Sequence, residues 1–260
     1  MHIIKKFSYK HPIYSVLILY LLFSLVSILL DLLRKINIAN TDFWFIIKLF
    51  VLSVMTTYLM KRFGFFANKS ALKPNKYMYI SVVMILFIFA KVTFLIFLLC
   101  TQTNHNLSLY KLFYNFVWAL GIGISEEVLC RGLLVNILKN GEYKTKKSFA
   151  FLILVSSLIF SLGHISNIFS GSTISSVCVQ LIYSFIIGAY FAILYLYSGR
   201  IVLVVSLHSL YDFVGFTIND ISANSSSGLS AFYFILNCVC LLLVGVAVFK
   251  NMYNLKKHYI

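Results

Sequence analysis

Eight long apolar runs dominate this sequence and restrict what it can fold into. They cover approximately residues 12–33, 43–60, 77–100, 109–138, 148–169, 177–198, 201–218 and 229–250. A helix of about 20 apolar residues crosses the hydrocarbon core of a bilayer, which is about 30 Å thick. Because the runs are continuously apolar and do not alternate with a period of two, helices are favoured over a barrel. The predicted fold is an all-α polytopic membrane helical bundle of about eight transmembrane helices.

The composition supports a membrane protein with one domain. Hydrophobic residues make up 61% of the chain and charged residues 11%, whereas a soluble domain is about half apolar and a quarter charged. No loop is long enough for a separate soluble domain, so residues 1–260 are predicted to form a single transmembrane domain. The run at 12–33 is too long for a signal-peptide core and no small-residue cleavage site follows it, so it is interpreted as a retained first span.

The basic residues predict the orientation of the bundle. With the N-terminus inside, the cytoplasmic segments hold sixteen Lys or Arg residues, and the opposite segments hold only Arg34 and Lys35. This bias follows the positive-inside rule and predicts that both termini are cytoplasmic. The net charge of +15 is distributed in short clusters between spans. Since no basic stripe is present, a nucleic-acid partner is not expected.

The cysteines do not indicate a disulfide framework or a zinc knuckle. Their number is odd and no C-x-x-C pair is present, although both kinds of site need paired cysteines. All lie within or at the end of apolar runs, where they are expected to be small buried residues. They are Cys100, Cys130, Cys178, Cys238 and Cys240.

Ionisable residues occur inside three of the predicted spans, where charged side chains are costly and usually face a cavity or a partner. They are Glu126, Glu127 and Arg131 in the fourth run, His164 in the fifth, and His208 and Asp212 in the seventh. At a rise of about 1.5 Å per residue, they lie at similar depths, about 12–24 Å from the cytoplasmic ends of their spans. The sequence therefore predicts that two imidazoles and three carboxylates meet at one level of the bilayer.

The spacing of these residues divides them further. Glu127 and Arg131 are four residues apart and share a helix face, whereas Glu126 points about 100° away. His208 and Asp212 are also four residues apart, so the carboxylate can fix the orientation and tautomer of the imidazole. An isolated intramembrane His or Glu–Arg pair is often structural, but the coincidence on three helices favours a functional site.

Two other features of the spans lead to predictions. Gly121, Gly123 and Ser125 precede the acidic pair, and small residues at these positions let a neighbouring helix approach closely. Lys48 and Lys91 lie within spans. For Lys91, reach of the side chain to the interface is favoured over contact with a substrate carboxylate.

The predicted cluster has the groups that peptide-bond hydrolysis requires. The reaction needs an activated water, a group that takes and returns its proton, and donors for the developing oxyanion. A Glu and a His can polarise one water directly. Alternatively, a Glu and two His can bind a divalent metal that lowers the pKa of the water. The residues are compatible with both arrangements.

Three motifs resemble those of a known family. They are Glu126-Glu127-x-x-x-Arg131, Phe160-x-x-x-His164 and His208-x-x-x-Asp212, in this order on successive apolar helices. Together they resemble the CPBP intramembrane protease family, also called Abi or type II CAAX prenyl endopeptidase-like. The resemblance covers roughly residues 110–215, which are expected to form the catalytic core helices.

The resemblance implies a role for each motif residue. Glu126 and His164 would activate the water, and His208 and Asp212 would help to bind or stabilise the reacting carbonyl. Glu127, Arg131 and Phe160 would be supporting residues. The family carries a metalloprotease label, and if one divalent metal such as zinc is bound, its ligands would be Glu126, His164 and His208. Where the family often has Asn this chain has Asp212, and an ionised Asp cannot donate to an oxyanion, so Asp212 must be protonated or orient His208.

The resemblance also implies a substrate class. It indicates cleavage of membrane-associated peptides or proteins in a cell membrane, for example in peptide or bacteriocin maturation or self-immunity. The many Lys, Asn, Ile and Phe residues indicate a bacterium. The alternatives are a non-catalytic immunity or scaffold protein of the same fold and a proton-coupled transporter. A transporter would usually show broken helices in two related halves, and the sequence has no such symmetry.

Overall fold

The fold is a bundle of long helices, seen in a computed structural model that describes residues 2–36, 41–67, 77–101, 107–141, 148–222 and 227–255. The α-helices of these residues are α1 (His2–Lys10), α2 (Pro12–Ile36), α3 (Thr41–Phe63), α4 (Tyr77–Thr101), α5 (Leu109–Glu127), α6 (Asn136–Asn140), α7 (Phe149–Gly163), α8 (Ile174–Ser198), α9 (Ile201–Ser222) and α10 (Ser227–Leu255). A π-helix, Val128–Val135, joins α5 to α6. A 3-10 helix, His164–Ser170, continues α7, and a shorter one, Phe65–Ala67, follows α3.

All eight predicted spans are helical. Within the described ranges, seven helices are long and apolar enough to cross a membrane. The remaining predicted span, 109–138, is the continuous stretch formed by α5, the π-helix and α6, and it contains the acidic pair. The predicted all-α membrane bundle is confirmed, and the amphipathic helix α1 is an additional element. The predicted loops fall partly on residues 68–76, 102–106, 142–147 and 223–226, outside the described residues, so the orientation in the membrane stays a prediction.

Short polar side chains and glycines fix the helix ends around the core. The hydroxyl of Ser108 accepts a hydrogen bond from the backbone N–H of Lys111 at the start of α5, which satisfies one of the unpaired donors of the first turn. Ser148 does the same at the start of α7. At the end of α8, Gly199 has a φ of 65°, a conformation that favours glycine, and two residues, Gly199 and Arg200, separate α8 from α9. The short connection brings the end of α8 next to the start of α9.

The bundle is organised around α8, which is the most buried of the candidate spans, while α2 is the least buried. Helix α7 packs along α8, and α5 packs along α9. Gly123 permits the second contact, because a Cβ at this position would collide with the hydroxyl of Ser209 and lie 3.2 Å from the carbonyl of Val205. The close approach predicted from the small residues is therefore present. Large apolar side chains cover the outward faces, as expected for surfaces in contact with lipid.

Candidate active site

Three helix regions contribute the predicted site residues to one cavity. These regions are the end of α5 before the π-helix, the junction of α7 with its 3-10 helix, and the middle of α9. The cavity has a volume of about 1960 Å³, and its lining includes Glu126, His164, His208 and Asp212. The sequence prediction that these side chains converge is therefore consistent with the structure. Their individual chemical roles remain predictions.

Glu127 connects α5 to α9. Its carboxylate is fully buried, and Oε1 accepts hydrogen bonds from Nη1 of Arg131 at 2.9 Å and from Nδ1 of His208 at 2.8 Å. The contact with Arg131 is the predicted pair at a spacing of four residues. The contact with His208 was not predicted, because sequence spacing cannot specify which residues of two separate helices meet. Glu127 is thus engaged by two donors within the protein.

Arg131 connects the π-helix to α7 and α8. The guanidinium is fully buried, and Nη2 donates to the backbone carbonyl of Gly188 at 2.7 Å. The guanidinium carbon lies 4.6 Å from the ring centroid of Phe160, which is a cation–π distance. A Cβ on Gly188 would lie 3.0 Å from Cδ1 of Phe160 and 3.4 Å from Nη2 of Arg131. The absence of a side chain at this position therefore lets the guanidinium reach α8.

His208 lies between two carboxylates. Nδ1 is 2.8 Å from Oε1 of Glu127, and Nε2 is 3.3 Å from Oδ2 of Asp212. A neutral imidazole has one N–H, so polar contacts to both carboxylates require either a protonated ring that donates to both or a protonated carboxyl that donates to the second ring nitrogen. The ring also stacks on Phe191, with the centroids 5.3 Å apart. In this arrangement Asp212 orients His208, and neither ring nitrogen is free to bind a carbonyl or a metal.

Glu126 and His164 are the members of the cluster that remain available. Oε2 of Glu126 is buried and has no hydrogen-bond partner among the residues that the structure describes. Nδ1 of His164 lies 3.3 Å from Nε2 of Gln180, and the rings of His164 and Phe160 meet edge to face at 5.5 Å. A buried carboxylate oxygen without a donor is costly, so such an atom in a cavity wall points to an external partner.

Gln180 determines which ring nitrogen of His164 carries the proton. The side-chain oxygen of Gln180 accepts from Nδ2 of Asn167 at 2.9 Å, which orients its amide so that its NH₂ group faces His164. Nδ1 is then the acceptor, and a neutral His164 carries its proton on Nε2. The chain Asn167–Gln180–His164 therefore leaves an N–H donor on the other side of the ring.

Two polar residues of the site were missed in the sequence. Gln180 is one, and Asn136 is the other. The amide of Asn136 donates to the carbonyls of Gly132 at 2.8 Å and Arg131 at 3.3 Å, and to the hydroxyl of Tyr195 at 2.7 Å. It thus binds carbonyls of the π-helix and links this helix to α8. The available signal was a polar side chain inside an apolar run, and the π-helix itself has no recognised pattern.

The prediction for Lys91 was wrong. Its position is ten residues from the end of α4, about 15 Å of helix, which is too far for the side chain to reach the interface. The residue is 3% exposed, and Nζ lies 3.5 Å from the ring centroid of Tyr211. Its ammonium therefore faces the interior of the bundle. Lys48, by contrast, forms an ion pair of 2.6 Å with Asp31.

The expected metal ligands do not form a binding set. Among the described residues, no group of three His, Cys, Asp or Glu side chains is placed to hold a metal ion. The reason at this site is that both ring nitrogens of His208 face carboxylates of the protein. Glu126 and His164 alone would supply two ligands, whereas a catalytic zinc site usually has three.

The fold and the site together define a polytopic membrane protein with a cluster of ionisable side chains around an internal cavity. Residues 106–214 match the family described as Type II CAAX prenyl endopeptidase Rce1-like, and this segment contains all three motifs. The family resemblance predicted from the motifs is confirmed over this segment, and it supports an activity of the CAAX protease type. No curated protein and no solved structure matches the chain.

Proposed function

We propose that this protein is an intramembrane endopeptidase that cleaves membrane-associated peptides or proteins with a water activated by Glu126 and His164. One observation carries the proposal. Glu126 has a buried carboxylate oxygen without a hydrogen-bond partner in the described part of the chain, and it lines the same cavity as His164. The adjacent Glu127 also has a buried oxygen without a partner in the described residues, Oε2, but its Oε1 is engaged by Arg131 and His208 and the residue is not part of the cavity lining. The pair of acids therefore supplies one carboxylate for chemistry and one for structure.

The proposed reaction begins with Glu126 as general base. Its carboxylate accepts a proton from water while the water oxygen attacks the carbonyl carbon of the scissile peptide bond. The Nε2–H of His164 donates a hydrogen bond to the oxygen of the same water and orients its free lone pair toward the carbonyl carbon. The C–N bond of the tetrahedral intermediate then breaks, and Glu126 returns the proton to the leaving amine. The base is thereby regenerated, and the products are a carboxylic acid and an amine, which then exchange a proton to give a carboxylate and an ammonium.

The other residues of the motifs position this pair. Phe160 contacts the rings of His164 and His208 at centroid distances of 5.5 and 5.8 Å. Arg131 lies over the same ring. Glu127 and Asp212 fix the orientation of His208, which in turn supports Phe160. We therefore assign five residues as positioning residues in the resting protein: Glu127, Arg131, Phe160, His208 and Asp212. His208 can contact the substrate carbonyl only when one of its two carboxylate partners is released.

A comparison of membrane proteomes tests the function. Cells that express the wild-type protein and cells that express Glu126→Gln are compared for new peptide termini. We expect cleavage products that accumulate with the wild type and are absent with the variant, while both proteins reach the membrane in equal amount. Identical termini in both samples, with a phenotype that persists in the variant, would instead indicate a non-catalytic immunity or scaffold protein.

The biological setting is part of the same proposal. We place the protein in a bacterial cell membrane with both termini cytoplasmic, acting in the maturation of a peptide or bacteriocin or in self-immunity. The family match and the apolar helices support a multi-pass membrane protease. The identity of the peptides found in the proteomic comparison distinguishes maturation from immunity, because a maturation protease cuts a precursor encoded by its own cell.

A further inference from the structure

Lys91 is a buried cation that the proposed reaction does not use. It lies in the middle of α4 and belongs to the lining of the cavity that also contains Glu126 and His164. The matched family segment begins at residue 106, so Lys91 lies outside all three motifs. Lys91 is therefore a residue of the cavity wall whose role the three motifs do not define.

The ammonium of Lys91 has no ion-pair partner in the described ranges. The ion pairs of the described residues join Lys48 to Asp31, Lys111 to Asp220, and Arg131 and His208 to acids of the site, and none of them includes Lys91. The contacts of Nζ are the rings of Tyr211 at 3.5 Å and Phe87 at 5.6 Å. Aromatic faces offset part of the cost of burying a cation, but they accept none of its three N–H groups as a strong hydrogen bond.

The space beside the ammonium is kept open by a glycine. A Cβ on Gly215 would lie 3.3 Å from Nζ of Lys91, which is a close contact. Gly215 is three residues after Asp212 on α9, so the ammonium lies roughly one helical turn from Asp212 along this helix. The N–H donors of the Lys91 ammonium thus face the cavity at a position beside the proposed catalytic residues.

We propose that Lys91 binds a carboxylate of the substrate and thereby selects where the peptide is cut. This assignment rests on the proposed endopeptidase function. A single ammonium with aromatic walls matches one negative charge attached to an apolar peptide. A carboxylate also supplies two oxygen acceptors for the donors of Nζ. Lys91 is a specificity residue in this account, because it contacts the substrate away from the scissile bond.

The test measures binding and cleavage with the purified full-length protein in lipid nanodiscs. The probes are three pools of short apolar peptides: one with a free C-terminal carboxylate, one with a C-terminal amide, and one with a C-terminal amide and an internal Asp. The proteins are the wild type, Lys91→Met and Lys91→Arg. Lys48→Met is the matched control, since the ammonium of Lys48 is already paired with Asp31.

We expect the wild type and Lys48→Met to bind a carboxylate pool about tenfold or more tightly than the simple amide pool, as for a charge-assisted hydrogen bond. The pool that shows the preference identifies the terminal or side-chain carboxylate as the source. Lys91→Met should lose the preference while its affinity for the amide pool stays unchanged, and Lys91→Arg should retain part of it.

Equal affinity of the wild type for all three pools would overturn the assignment of Lys91. So would a preference for carboxylates that persists in Lys91→Met. A purely structural role predicts that Lys91→Met weakens binding of every pool equally and lowers thermal stability, which also contradicts the proposal. Failure of the endopeptidase function is a separate outcome, recognised by binding of a carboxylate pool without cleavage of any peptide by the wild type.

Discussion

Separate replacement of Glu126 and Glu127 distinguishes an acid that stabilises the fold from one that acts in the proposed reaction. Glu127→Gln removes the negative charge that faces Arg131 and His208, whereas Glu126→Gln removes a charge from an oxygen atom without a partner in the described structure. The two substitutions are identical in chemistry and one residue apart. They should nevertheless differ in their effect on the free energy of unfolding.

The magnitude follows from the burial of the partners. Arg131 is fully buried, and Glu127 is the one carboxylate with which it forms an ion pair in the described ranges. Loss of one partner from a buried ion pair costs about 3–5 kcal/mol, because the remaining charge stays buried. Glu127→Gln retains one acceptor oxygen, so we expect a loss of about 3 kcal/mol, at the lower end of this range. For Glu126→Gln we expect a change within about 1 kcal/mol, because no hydrogen bond to Oε2 is lost.

The assay is reversible unfolding of the purified variants in mixed detergent micelles, followed by tryptophan fluorescence. A control variant, Glu127→Ala, removes the remaining acceptor as well and should destabilise the protein further. The reasoning would be refuted if Glu127→Gln were as stable as the wild type. It would also be refuted if Glu126→Gln lost as much stability as Glu127→Gln, since the two carboxylates would then have the same role.

Three further predictions concern the surroundings of the site. Gly188→Ala should destabilise the protein by about 1–3 kcal/mol through overpacking against Arg131. The control Gly245→Ala should change stability by less than about 0.5 kcal/mol, because a Cβ at this position has no neighbour closer than 4.0 Å. Equal unfolding midpoints of the two variants would contradict this prediction. Gln180→Leu removes the hydrogen bond to Nδ1 of His164 and should lower kcat for peptide cleavage about tenfold with little change in KM. An unchanged kcat would show that Gln180 does not orient the imidazole ring. Dialysis against a chelator should leave cleavage intact, because no three-residue metal set is present in the described residues; a loss that zinc restores would require a different arrangement of His208.

The helices of this protein could be predicted from the sequence because a bilayer imposes a minimum length of apolar residues. The predicted run 77–100 is observed as Tyr77–Thr101, and 201–218 is observed as Ile201–Ser222. Helix ends differ by a few residues, since polar caps act locally and do not depend on hydrophobicity: α8 begins at Ile174 after the cap Thr173, whereas the predicted run begins at 177. The π-helix could not be predicted, because no pattern in the run 109–138 distinguishes its i→i+5 hydrogen bonds from those of an α-helix.

The candidate site was predictable in its members but not in its internal contacts. Spacing of four residues predicted the pairs Glu127–Arg131 and His208–Asp212, since it places side chains on one helix face. The contact between Glu127 and His208 depends on the packing of α5 against α9, which no local pattern encodes. The depth of Lys91 could be read from the bounds of its run, and Phe87 lies four residues before it on the same helix, whereas its contact with the ring of Tyr211 exists only when α4 packs on α9.

The most direct test of the account is a double-mutant cycle on the cleavage rate. Single-turnover rates are measured for the wild type, Glu126→Gln, His164→Ala and the double variant, with a peptide found in the proteomic comparison. If both side chains act on one water, each single substitution should lower the rate by about 10²–10⁴-fold, and the double variant should be about as slow as the slower single variant. Independent effects that multiply in the double variant, or a wild-type rate in either single variant, would contradict the shared site.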